Sequence, residues 1–250
     1  MKNIVKSYAD FDIHRKIGAL IKKHSENSQD IRDVVNSAIN WPHIHTILDL
    51  GCGYGWFEER LKGKFDYIMG IDCHPSNEQA FLSITMPLAR TSVFVTRYLP
   101  SPIDVPADFF DLVVSVYSLY FFPEVLPVVK RVLKPEGIFL VITHSEAMLE
   151  EGEMFFQFDN LRKVIQNFSA ENGVEILSTY FTDITTIDYH NNIIFNKEEK
   201  EDLEQYIDFK KEFIVKDVDH EVVKTTMLRE LERRGILRFN KNDRIFLASK

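Results

Sequence analysis

Two hydrophobic rhythms alternate along the chain, and their order predicts the architecture. Short apolar runs recur at residues 46–50 (TILDL), 66–71 (DYIMGI), 92–96 (SVFVT), 109–116 (FFDLVVSV) and 138–143 (IFLVIT). Runs this short and this apolar suit strands buried on both faces of a parallel sheet. Around them the spacing is helical. Phe11, Ile13, Ile17, Leu20 and Ile21 share one face of a predicted helix over residues 8–24. A second helix is predicted over residues 30–39 and stops at Trp41-Pro42, because proline disfavours helix at the residue before it. Further helices are predicted over residues 56–61, 75–81, 123–133, 153–171, 197–212 and 220–234, the last ending at Gly235. The stripe Phe155, Phe158, Leu161, Ile165 and Phe168 reads as core. Residues 174–187 read as a strand bent near Thr182-Asp183. Residues 236–239 and 244–248 read as strands flanking a KND turn.

Strand–helix alternation of this kind predicts an α/β fold with helices on both faces of an open sheet. A chain of 250 residues suits one such domain with embellishments. Its formal net charge of −8 argues against a non-specific nucleic-acid surface. No apolar run has the length of a membrane span, and the first residues lack the apolar core of an export signal. A cytoplasmic location is therefore expected. Cys52 and Cys73, each just after a predicted strand, read as two reduced thiols rather than a disulfide, and neither has the spaced partners of a zinc site. No metal is expected.

The chemistry concentrates at residues 46–57, TILDLGCGYGWF. Gly51, Gly53 and Gly55 alternate with Cys52 and Tyr54 directly after a strand, which implies a tight turn whose backbone N–H groups approach a ligand closely. Strand, glycine turn and helix start together form a nucleotide-binding corner. The dinucleotide fingerprint requires G-x-G-x-x-G, and Trp56 occupies the place of its last glycine, which argues against a nicotinamide oxidoreductase.

G-x-G-x-G preceded by Leu-Asp-Leu resembles motif I of the class I S-adenosylmethionine-dependent methyltransferases. VLKPEGIFLVIT at residues 132–143 resembles the segment that leads through the fifth strand of that family, and FDLVV its fourth. The resemblance implies a Rossmann-like seven-stranded, mostly parallel sheet whose last strand, RIFLA, is antiparallel, with a helical C-terminal insertion. One methyltransferase domain is then expected over residues 1–250, with an N-terminal helical cap (1–43), a cofactor-binding core (44–180), a substrate-lid insertion (181–235) and a terminal hairpin (236–250). S-adenosylmethionine is the implied cofactor and S-adenosylhomocysteine the product.

The same resemblance assigns Asp49, Gly51, Cys52, Gly53 and Gly55 to the cofactor turn. Asp72, at the tip of the second strand, becomes the acid that accepts from the ribose hydroxyls. Cys73 and His74 follow it towards the adenine. The family's acid after the third strand is missing, so Tyr98 or Leu99 is expected to pack on the adenine instead. Tyr8 and Arg15 of the cap are the candidates for the cofactor's carboxylate, with solvated helix residues as the alternative. If the strands are parallel, Tyr117 and Tyr120 border the transfer pocket, where an aromatic face attracts a sulfonium by about 0.5–2 kcal/mol. His144, at the tip of the fifth strand, is a candidate general base, with a structural role as the alternative.

The expected reaction is in-line methyl transfer to the O or N of a small-molecule acceptor. Alternatives are a protein or RNA methyltransferase and a non-catalytic S-adenosylmethionine-binding regulatory protein. The expected partner is the small-molecule acceptor, with a homodimer left open and neither nucleic acid nor membrane involved.

Overall fold

The computed structural model describes residues 10–155, 159–211 and 219–250. Its strands are β1 (Thr46–Leu50), β2 (Phe65–Asp72), β3 (Ala89–Thr96), β4 (Phe110–Val116), β5 (Leu133–His144), β6 (Asp183–Tyr189), β7 (Asn192–Asn196), β8 (Ile236–Asn240) and β9 (Asp243–Ser249). Its helices are α1 (Phe11–His24), α2 (Ile31–Ala38), α3 (Glu78–Thr85), α4 (Leu126–Val132), α5 (Asp159–Ile165), α6 (Gly173–Ser178), α7 (Lys200–Lys210) and α8 (His220–Arg234).

Seven strands form the main sheet in the order β3-β2-β1-β4-β5-β9-β6, with β9 antiparallel to both of its neighbours and the rest parallel. The strand order reverses between β1 and β4, so a crevice opens at their C-terminal ends. Successive residues of one strand serve opposite faces. Leu48 and Leu50 enter a core covered by Leu126, Val129 and Val132 of α4. Ile47 enters the other, covered by Ile31 and Val35 of α2 and Phe81 of α3. Asp111 fixes the opposite edge of the sheet. Its Oδ2 accepts from the backbone N–H of His45 (3.0 Å) and Thr46 (2.8 Å), and its Oδ1 from Lys134 Nζ (2.6 Å).

Several elements differ from the pattern. Residues 56–61 form no helix, only a 3-10 turn over Glu58–Arg60. The left-handed φ of Gly55 (+91°) carries the turn past Trp56, and Gly63 (φ +128°) ends the segment, so two helical turns do not fit. The helix expected over residues 153–171 is confined to Asp159–Ile165, after a 3-10 segment at Glu150–Met154; Phe158 lies outside the described residues. Residues 174–178 are helical, because α6 is the crossover that returns the chain to β6; its Gly173 packs against the Phe246 ring. There is no terminal hairpin: β8 pairs with β7 in a separate two-stranded sheet, while β9 joins the main sheet. β6 belongs to the main sheet, so of the residues 181–235 expected as an insertion, those up to Tyr189 contribute a strand to the sheet.

Cap and insertion meet. His24 of α1 places Nε2 2.7 Å from Asp202 Oδ2 on α7, and its Nδ1 2.9 Å from the Ile194 carbonyl of β7. Lys23 Nζ reaches the same Asp202 oxygen at 2.6 Å.

Gly70 sets the spacing between β2, α3 and the glycine turn. A Cβ there would lie 2.5 Å from Phe81 Cζ and 2.6 Å from Cys52 Sγ, and the Phe81 ring is fully buried. Gly70→Ala is expected to cost about 1–3 kcal/mol of stability through overpacking, read as a lowered urea midpoint.

Candidate functional site

The glycine turn docks on the end of β2. The Ile71 carbonyl accepts from the N–H of both Gly51 (2.7 Å) and Cys52 (3.2 Å). Gly51 is left-handed (φ +74°), and a Cβ on it would meet Ser118 Cβ at 2.6 Å, so β4 and the turn close together only over glycine. Ser118 Oγ in turn donates to the Leu50 carbonyl at 2.6 Å. Gly53 is the opposite case: a Cβ there would meet nothing within 4 Å, and the turn is open to a ligand on that side. The Gly53 N–H donates to Asp72 Oδ2 at 3.0 Å, while Asp72 Oδ1 accepts from the His74 N–H (2.8 Å) and Asn77 Nδ2 (3.3 Å). The Asp72 carboxylate is thereby fixed at the tip of β2. Both thiols are free; Cys52 is buried in the turn and Cys73 is half-buried.

Beneath the turn lies a pair of carboxyls. Asp49 on β1 and Glu58 in the 3-10 turn are both buried, and Asp49 Oδ1 and both Glu58 oxygens lack a hydrogen-bond donor in the protein. Two such carboxyls are satisfied when they share a proton, since one then donates to the other. Burial and then Glu58 push Asp49 well above the usual carboxylate range, and burial raises Glu58 to about 7. Arg32 of α2 braces the exit of the turn. It pairs with Asp30 (Nη2 to Oδ2, 2.7 Å), donates from Nη1 to the Trp56 carbonyl and lies 4.1 Å over the Trp56 ring.

From Trp56 an aromatic wall runs along the strand tips. The Trp56 and Tyr117 rings are 6.0 Å apart, and Tyr117 stacks on His144 at 4.6 Å. Tyr117 adopts a left-handed φ of 54°, which costs a non-glycine residue energy and is found most often at functional sites. Its hydroxyl donates to Asp243 Oδ2 at 2.8 Å. Asp243 Oδ1 lies 2.7 Å from His144 Nδ1, and Asp243 Oδ2 also accepts from Lys241 Nζ at 2.6 Å. The register of β5 with β9 sets His144 directly opposite Asp243. Burial pushes the Asp243 carboxyl up, but Lys241 and His144 outweigh it and hold the acid below its usual range. Burial, followed by Lys241, lowers His144 to about 4 against the pull of Asp243. Burial also pushes the Tyr117 phenol upwards.

Helix α1 covers the turn through His14, whose ring meets Tyr54 edge-on at 5.8 Å. Tyr54 is buried, and burial raises its phenol to about 12. Arg15 is exposed on α1, near enough to Tyr54 to pull its phenol downwards, and the cap residue packed on the turn is His14, one position earlier on the helix. Tyr98 is 71% exposed beyond β3. Tyr8 lies outside the described residues.

Residues 48–141 match the sequence model of a family described as a methyltransferase domain. Residues 48–141 thus carry the sequence pattern of a methyltransferase domain. Solved structures share its fold. The YcgJ protein of Bacillus subtilis has a TM-score of 0.59 at 17% identity, with 88% of this chain and 97% of that one covered. The cyclase SpnF has a TM-score of 0.52 at 17% identity, covering 88% and 79%. Phosphoethanolamine N-methyltransferase 2 of Haemonchus contortus, solved with phosphomonomethylethanolamine and S-adenosylhomocysteine, has a TM-score of 0.50 at 17% identity, covering 87% and 52%. No curated protein matches the chain.

The site fits S-adenosylmethionine, the cofactor that the sequence resemblance implies. The turn is open at Gly53, a fixed carboxylate stands at the tip of β2, and aromatic faces line the strand ends. Among the described residues no helix is long and apolar enough to cross a membrane.

Sequence reasoning missed Asp243, Lys241, Glu58, Arg32 and His14. Asp243 stood in a KND triplet read only as a turn; its position at the start of the antiparallel strand, opposite the tip of β5, was the available signal.

The carboxyl pair gives the methyltransferase a pH dependence of defined sign. Glu58 holds a proton in the fold that the unfolded chain releases above about pH 4.5, so stability falls as pH rises from there through about 7. Glu58→Gln removes this dependence. In urea unfolding between pH 5 and 8.5 the variant is expected to show a flatter profile, and to gain on the wild type by about 1–3 kcal/mol at the alkaline end.

Proposed function

We propose that the domain methylates the O or N of a small-molecule acceptor, with His144 as the general base. The observation that carries this reading is the His144–Asp243 pair, buried at the strand tips on the aromatic wall that begins at the cofactor turn. Asp243 is a carboxylate and accepts only, so Nδ1 of His144 carries the ring proton and donates it at 2.7 Å. Nε2 is left with its lone pair, the requirement for a base. A small acceptor is supported by the enclosure, since α1 and α7 close over the crevice and are tied by His24, Lys23 and Asp202. The net charge of −8 disfavours an RNA acceptor.

S-adenosylmethionine supplies a methyl group on a sulfonium that is its own leaving group. Asp72 accepts from the ribose hydroxyls, the role its carboxylate at the β2 tip is shaped for, with Cys73 and His74 beside it. Gly51, Gly53 and Gly55, with Cys52, let the backbone approach, and the buried Asp49 supports that turn from below. Tyr117 offers its ring face to positive charge and aligns the wall. As the acceptor's lone pair takes up the methyl group, the acceptor's proton would pass to His144 Nε2. Alignment and exclusion of water provide the remainder of the rate.

Two variants test the reading. Asp72→Ala is expected to weaken S-adenosylmethionine binding about 10- to 100-fold, the loss of hydrogen bonds to a charged group, with the thermal unfolding profile retained; calorimetric titration reads both the affinity and its absence. For catalysis, a panel of small hydroxyl and amine compounds is screened for S-adenosylhomocysteine release. His144→Gln is expected to lower turnover of any hit by about 10²–10⁴-fold at unchanged cofactor affinity. Turnover of proteins or RNA, with none of the small compounds, would replace the acceptor class.

A further inference from the structure

The insertion does more than cover the crevice, because its last turn reaches the base. Lys241 follows β8 and is only 7% exposed. Its Nζ is 2.6 Å from Asp243 Oδ2, 4.7 Å from the centre of the Tyr117 ring and 3.4 Å from His144 Nδ1. Its backbone is clamped where the insertion leaves and rejoins the sheet. The Lys241 N–H donates to the Asn191 carbonyl (3.0 Å), and Asn242 Oδ1 accepts from the Asn191 N–H (2.9 Å). Ser145, directly after His144, donates its N–H to the Asn242 carbonyl at 3.0 Å.

We propose that Lys241 is a positioning residue for the transfer reaction: it occupies one oxygen of Asp243 and, with its charge beside Nδ1, keeps His144 neutral with the Nε2 lone pair turned to the acceptor. This rests on the methyl-transfer reading and adds a residue the insertion contributes to it.

The geometry divides the carboxylate between two tasks. Oδ2 receives Lys241 and the Tyr117 hydroxyl, which leaves Oδ1 to His144. A buried histidine beside a carboxylate alone would be drawn to the imidazolium form, in which no lone pair remains for the acceptor's proton. Lys241 opposes that. The groups facing His144 are Asp243 from β9, Lys241 from the turn before it, Lys210 from α7 and the rings of Tyr117 and Tyr120. Both lysines disfavour the imidazolium and only Asp243 favours it. Burial also disfavours the imidazolium and persists without Lys241, but removing the lysine takes away the nearest opposing charge, and the ring then takes up a proton at higher pH than in the wild type. The acceptor consequently arrives protonated, as a hydroxyl or N–H compound, and gives its proton to a base that is already neutral.

Long-range proton–nitrogen NMR of the imidazole rings tests this without an acceptor. In the wild-type protein His144 is expected to show the Nδ1–H tautomer and to stay neutral from pH 8 to pH 5. Lys241→Met should raise its titration midpoint by at least one pH unit, and Lys241→Arg should keep it near the wild-type position. A packing role alone leaves the midpoint where it was, so a Lys241→Met midpoint equal to the wild type overturns the proposal. A proton on Nε2 in the wild type overturns it whether or not either variant folds. Calorimetry with S-adenosylhomocysteine separates the two readings. Binding by all three proteins with an unmoved midpoint removes only the role of Lys241, whereas a folded wild type that does not bind removes the methyl-transfer reading itself.

Discussion

The carbonyl of Ile71 is the contact on which the site depends. It lies at the end of β2, one residue before Asp72, and receives the N–H groups of both Gly51 and Cys52. Those two bonds set the glycine turn against the second strand, so that the next N–H, from Gly53, points at the Asp72 carboxylate. A turn of this curvature cannot carry side chains at its tightest point, since Ser118 fills the space a Cβ on Gly51 would need. The N–H groups of Gly51, Cys52, Gly53 and Gly55 are thereby satisfied within the protein, while the side of the turn at Gly53 stays clear of side-chain atoms, so a ligand can approach closely.

Burial of charge is the second constraint. The protein keeps two acidic groups out of water by different means. Asp243 remains a carboxylate because three donors converge on it, from His144, Lys241 and the Tyr117 hydroxyl. Asp49 is buried with Glu58 as its neighbour, and burial first and then the second acid make its ionisation harder, so that pair holds a proton instead. One arrangement gives a fixed charge at the strand tips; the other gives a neutral support under the cofactor turn.

The antiparallel β9 joins the tip of β5 to the segment that carries β7 and β8. Inserted between β5 and β6, it brings Asp243 opposite His144, and the turn before it carries Lys241. Because β8 pairs with β7 rather than with β9, the insertion is a small unit of its own, anchored where Asn191 meets Lys241 and Asn242. Its helix α7 is held to the N-terminal cap through His24 and Asp202. The N-terminal helix, the β7–β8 unit and the His144–Asp243 pair are linked by hydrogen bonds.

The sequence alone was enough for what a few neighbouring residues decide. Apolar runs marked β1 to β5, since a strand buried on both faces excludes polar side chains over its whole length. The glycines marked the turn, because left-handed backbone and close approach are local demands. Asp72 was legible as an acid at one strand tip and His144 as an imidazole at another. Only the tertiary structure decided partnership. His144 and Asp243 are 99 residues apart in the chain, and the link between them is the register of two strands. Glu58 reads as a polar helix residue until the turn lays it against Asp49 in the core. Local periodicity specifies which residues are buried; which buried groups meet depends on how distant segments pack, and that is settled only when the sheet closes.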